Sequence, residues 1–88
     1  MGLSRTQEVV LMNMGVDMSI IVYYPIVDKA ILKYDSKETQ SINVGTFKKL
    51  LKDEMIKKIG QDPLTDLGMM EYYDLTDKGL HFCNKITT

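Results

Sequence analysis

Tyr72-Tyr73-Asp74-Leu75-Thr76-Asp77-Lys78-Gly79-Leu80 is the stretch on which the reading of the fold turns. Residues 69–75 are rich in tyrosine and methionine, suit a pleated surface and read as a strand. Thr76 follows as the cap of a final short helix, which would bury Leu80 and Cys83 with Ile86 at or just beyond its end. Tyr73 and Leu75 then point inward from the strand, and Gly79 permits close packing of the helix.

Working upstream, the clearest helix in the chain begins at Asn43, whose side chain is a natural N-cap. Val44, Phe47, Leu50, Leu51 and Met55 recur at intervals of three and four, which leaves the lysines mostly on the opposite face. Residues 56–59 return to an alternating pattern and read as a strand. Residues 61–67 contain Pro63, end at Gly68 and read as a loop.

The first half is less clear-cut. Ser4-Arg5-Thr6-Gln7 has the form of a capping box, and Leu3, Gln7, Val10, Leu11 and Met14 share one helical stripe, so a helix is expected over 5–14 with Gly15 ending it. Residues 18–24 hold the β-branched and aromatic run Ile20-Ile21-Val22-Tyr23-Tyr24 and suggest a strand. Residues 25–28 read as a turn because Pro25 cannot donate to a ladder, and residues 29–34 as the return strand of a hairpin. Helices are the competing reading of this region, since Asp17 offers one cap and Asp28 another. Residues 36–41 are uniformly polar and read as a loop.

Eighty-eight residues suffice for one hydrophobic core, and a chain this short buries only about 60% of its unfolded surface, so one domain spanning 1–88 is expected. An apolar content of 44% against 26% charged residues is ordinary for a folded chain. The longest apolar run, residues 20–27, falls well short of the roughly 20 residues that cross a bilayer, and no basic region feeds an apolar one at the start. The expected location is therefore the cytoplasm, with no membrane contact. Cys83 has no second cysteine to pair with and reads as a small core hydrophobe.

The formal net charge of −1 hides an uneven distribution. Residues 43–58 carry five lysines against Asp53 and Glu54, whereas residues 61–77 carry Asp62, Asp66, Glu71, Asp74 and Asp77 with no base, so a basic element beside an acidic loop is expected.

The ordered set Asn43, Thr46, Phe47, Leu50, Leu51 and Ile56, followed by the Tyr-x-Leu-Thr-x-Lys-Gly pattern of residues 73–79, resembles the C-terminal half of winged helix-turn-helix regulators of bacteria, archaea and their viruses. Two features depart from that family. Glu54 and Met55 stand where it usually has a glycine between recognition helix and wing, and residues 18–34 look like strands where it has a supporting helix. The resemblance implies an α+β fold: a winged helix-turn-helix variant with an extra N-terminal β-hairpin, in the order helix, hairpin, helix, wing, short helix.

It also implies a small DNA-binding transcriptional regulator. Its recognition helix would present Asn43, Thr46, Lys48, Lys49 and Lys52 to the major groove of double-stranded DNA, with Lys57 and Lys58 reaching phosphates from the root of the wing. A homodimer is expected, because one helix with few phosphate contacts binds weakly. The acids of the wing oppose this reading, and the lysines also read as a solvated helix face. The alternative function is a protein-interaction module, either an inhibitor or an assembly component. The paired tyrosines Tyr23, Tyr24, Tyr72 and Tyr73 and the seven methionines would supply its adaptable apolar surface, unless the methionines fill the core. No catalytic, cofactor or metal site is expected: His81 is the single histidine, no glycine-rich loop opens a helix, and His81 with Cys83 falls short of a metal's ligand set.

Overall fold

Ser4 and Gln7 start the chain's first helix by satisfying each other's backbone. Ser4 Oγ accepts from the Gln7 amide at 3.2 Å, and Gln7 Oε1 accepts from the Ser4 amide at 3.0 Å. In the computed structural model, which describes residues 4–16, 18–64 and 68–87, this helix is α1 (Arg5–Val16). It is followed by β1 (Ile20–Tyr24), β2 (Lys29–Lys33), β3 (Thr39–Ile42), α2 (Val44–Lys52), β4 (Ile56–Leu64), β5 (Gly68–Leu75) and α3 (Asp77–Thr87). The strands form one antiparallel sheet in the order β3-β2-β1-β5-β4.

The fold is α+β, but it is not the winged helix-turn-helix variant expected from the sequence. Three strands follow directly on α1, so no helix-turn-helix precedes the lysine-bearing helix. The hairpin expected as a peripheral wing supplies two of the five strands of the sheet, because β5 pairs with β1 through Ile21↔Tyr73, Val22↔Tyr72 and Tyr23↔Glu71. The hairpin expected as an appendage lies at the centre, with β1 third of the five strands. The physical reason lies in residues 20–24, which are apolar at every position and so need neighbours on both edges and both faces.

α2 packs on this sheet and not across another recognition-type helix. Phe47, 2% exposed, stacks on Tyr23 with centroids 4.6 Å apart and meets Tyr73 edge-on at 4.9 Å. Each such aromatic pair adds about 0.5–1.5 kcal/mol beyond the area buried. Leu50, Leu11, Val10 and Met14 join Ile21, Leu32 and Ile56 in the same core, so α1 and α2 cover one face of the sheet. α3 closes that face against α1. Cys83 is buried as expected, but Leu80, expected in the core, is 47% exposed.

Several boundaries differ from expectation, each for a local reason. Helix α1 runs through Gly15 to Val16: this glycine is a packing residue, since a methyl there would collide with Cys83 Sγ of α3. Residues 36–41, read as a loop, contain most of β3, a polar strand on the edge that both faces leave exposed. Residues 61–64, also read as loop, continue β4 opposite residues 68–71, and Pro63 is tolerated because β4 is the other edge. β4 is also irregular: its register shifts between Lys58 and Gly60, leaving Ile59 bulged and 52% exposed. Asp17, Asp66 and Leu3, named in the sequence reading, lie outside the described residues.

Candidate functional site

The seven residues expected to contact DNA do not form one surface. Asn43 is occupied as the N-cap of α2, its Oδ1 accepting from the amides of Gly45 at 2.7 Å and Thr46 at 3.3 Å. Thr46 is half-buried. Lys48, Lys49 and Lys52 are exposed on the outer side of α2, but Lys48 Nζ lies 3.4 Å from Asp28 in the β1–β2 turn. Lys57 and Lys58 are neighbours on a strand and so point to opposite faces of the sheet. Lys58 lies on the helix side, pairing with Glu71 at 3.2 Å and donating to Gln61. Lys57 lies on the other side, in register with Asp74. The expected separation of basic and acidic segments is likewise undone, because β4 and β5 interleave their charges.

The same alternation sorts the paired tyrosines. Tyr23 and Tyr73 point toward the helices. The Tyr23 hydroxyl donates to Asp28 at 2.6 Å, which foremost pushes Tyr23 up to about 12 and holds Asp28 below the usual carboxylate range, with Lys48 adding to the latter. Burial, and then the hydrogen bond to Glu71 at 3.0 Å, pushes Tyr73 up to about 12. Tyr24 and Tyr72 point to the opposite face, where the Tyr72 hydroxyl donates to Asp62 at 2.7 Å and is raised by that bond.

That opposite face is covered by none of the described helices, yet its centre is apolar. The register places Ile31 of β2, Val22 of β1 and Tyr72 of β5 side by side, with Gly60 of β4 beyond them opposite Tyr72. Ile20, Tyr24 and Met70 flank this row, all half-buried. Val22 is only 2% exposed although it stands outside the core cluster under the helices. Around the stripe stand charges of both signs: Lys29 and Lys33 on β2, Asp74 on β5, Lys57 and Asp62 on β4. The sequence reading anticipated the tyrosines but missed Ile31, Val22, Lys33 and Asp74. The signal was present in residues 20–24, whose apolar character at both parities marks a strand with no purely solvent face.

His81 is exposed and Cys83 is buried two residues along α3, so the two side chains do not share a site. No group of three or more histidine, cysteine or acidic residues is placed to hold a metal ion among the described residues. The open depression beside the β2–β3 turn is lined by Tyr34, Asp35, Ser36, Glu38, Thr39 and Gln40. No described helix is long and apolar enough to cross a membrane. No family model, no curated protein and no solved structure matches the chain.

Proposed function

We propose that this chain is a non-catalytic, cytoplasmic interaction module whose working surface is the helix-free face of its sheet. The observation that carries the reading is the apolar row Ile31, Val22 and Tyr72 at the centre of that face, with mixed charges at its margin. An apolar centre within a polar rim is the anatomy of a protein-binding patch, and tyrosine and methionine are enriched in such patches. The occupant that fits is a protein surface offering apolar side chains flanked by charges of both signs.

A surface kept for binding contributes little to folding, and this supplies the test. Ile31→Thr and Met70→Gln, measured by urea unfolding at sub-micromolar protein, are expected to cost less than about 1 kcal/mol each, whereas Leu32→Ala on the helix side costs about 2–5 kcal/mol. A core-sized loss for the two outer variants would make the face a structural one and overturn the proposal.

Double-stranded DNA is a second reading, favoured by one observation: Lys49 and Lys52 stand exposed three residues apart on α2, beside Lys48. With two or three phosphates neutralised, the slope of log affinity against log salt is about −2 to −3. Fluorescence anisotropy with a duplex tests it. Absence of binding at ~50 mM salt and micromolar protein removes this reading.

A further inference from the structure

Resting on the reading of the sheet face as a binding surface, we infer that its occupant is a second copy of this chain, docked face to face about a two-fold axis running along β1. The inference comes from the register. Across the helix-free face, Lys33 of β2 stands opposite Ile20 of β1, and continuing the β1–β5 register one residue beyond Ile21↔Tyr73 brings Asp74 of β5, the partner of Lys57 on β4, to the same level. The next row holds Ile31, Val22 and Tyr72. Beyond that, Lys29 and Tyr24 lie opposite one another on β2 and β1, and Met70 of β5 falls at their level when the β1–β5 register is continued one residue beyond Tyr23↔Glu71.

A two-fold axis parallel to the strands and passing over β1 keeps each residue at its own level and exchanges left for right. β2 of one copy therefore lies over β5 of the other. Lys33 meets Asp74 of the second copy, and the symmetry makes that pair twice. Ile31 meets Tyr72, the aliphatic stem of Lys29 meets Met70, and Tyr24 lies near its own mate at the axis. Lys57 on β4 meets only Thr39, since Thr39 is the residue of β3 at the level of Lys33. The other in-plane axis, across the strands, sets Lys33 against Lys29 and is repelled. The pattern is thus self-complementary for one orientation, as an isologous dimer requires.

The size of the face sets the strength. Five strands at ~4.8 Å spacing and five residues at ~3.4 Å give a projected patch of about 400 Å², corresponding to roughly 600–800 Å² of accessible surface per copy. That is the low end for a specific interface, so the dimer is expected to be reversible.

Sedimentation equilibrium between about 1 and 200 µM tests this, with the wild type moving from monomer to dimer across the series. Lys33→Asp and Asp74→Lys, each alone, juxtapose like charges twice and are expected to weaken association about tenfold or more, while Lys33→Asp combined with Asp74→Lys restores it to within about threefold. As an independent readout, Tyr24→Cys is expected to be joined across the dimer by a short bismaleimide, which spans the ~10 Å between facing sheets that a disulfide cannot, and Val9→Cys on the outer side of α1 is not. A monomeric wild type at the highest concentration overturns the inference. So does a combined variant that fails to recover while folded by circular dichroism, or crosslinking of Val9→Cys as readily as Tyr24→Cys. A monomer in which Ile31→Thr and Met70→Gln remain cheap removes only the second copy as occupant. If those variants instead lose core-sized stability, the binding face itself is removed.

Discussion

Gly15 and Cys83 bring α1 and α3 together at a distance that a single methyl group would violate, and this allows a quantitative double-mutant cycle. Alanine in place of a helical glycine gains about 0.5–1 kcal/mol from the lower entropy of the unfolded chain. Here the new methyl overlaps Cys83 Sγ and stands close to Cys83 Cβ and Leu75 Cδ1. Overpacking of this kind costs about 1–3 kcal/mol. Gly15→Ala is therefore expected to lose about 1–2 kcal/mol net. Cys83→Ala alone loses about 1 kcal/mol, the scale of one buried group and its small cavity. In the double variant the methyl at position 15 enters the space left by sulfur, the helix gain is retained, and stability returns to within about 0.5 kcal/mol of wild type. The coupling energy is thus about 2 kcal/mol in favour of the pair. Urea unfolding followed at 222 nm for the four proteins measures it, and in a domain of this size each kcal/mol also moves Tm by about 4–8 °C. A Gly15→Ala variant more stable than wild type, or a coupling below about 0.5 kcal/mol, would refute the close approach of the two helices.

Glu54 adopts a left-handed backbone with φ 62° between α2 and β4. Relief of the left-handed strain, about 1–2 kcal/mol, exceeds the added unfolded-chain entropy of about 0.5–1 kcal/mol, so Glu54→Gly is expected to raise the urea midpoint, and a lowered one contradicts it. Asn43→Ala removes the acceptor for two amides and is expected to destabilise by about 1 kcal/mol, with Asn43→Gly costing only a few tenths; equal losses would show that the cap does not act through its side chain. At alkaline pH, Tyr23 and Tyr73 keep their protons up to about 12, whereas the unfolded chain releases them near 10. Their contribution is complete below pH 10 and is lost as pH rises through 10 toward 12, so the urea midpoint falls across that window and falls less in Tyr23→Phe. A flat midpoint there would exclude the Tyr23–Asp28 and Tyr73–Glu71 contacts.

Local chemistry was readable where one residue type serves one local need. Ser4 with Gln7, and Asn43 ahead of Val44, announce helix starts because the capping partners lie within three residues of each other. β1 and β2 were visible because β-branched and aromatic side chains crowd a helix. β3 was not, since Thr39, Gln40 and Ser41 on an exposed edge carry no burial period to detect. Sheet order was beyond local reading as well. The pairing of Ile21 with Tyr73 joins residues from opposite ends of the chain, and the same two strands taken without it look like a hairpin beside a wing. The parting of Lys57 from Lys58 followed from a fact the sequence did contain, since neighbours on a strand take opposite faces. The apolar face was half legible, in the tyrosine pairs, but which tyrosine of each pair turns outward is set by register.

The bulge in β4 limits how the molecule can grow. A strand approaching that edge meets a ladder interrupted at Ile59, lysines at 57 and 58 and a proline at 63, while the opposite edge offers the four residues of β3. Lateral addition of strands, the route to fibres, is thus obstructed on both sides of the sheet. The flat of the sheet, the surface proposed above to bind, is unaffected by that interruption. The irregular β4 edge therefore works against open-ended growth of the sheet, where a smooth edge would template it.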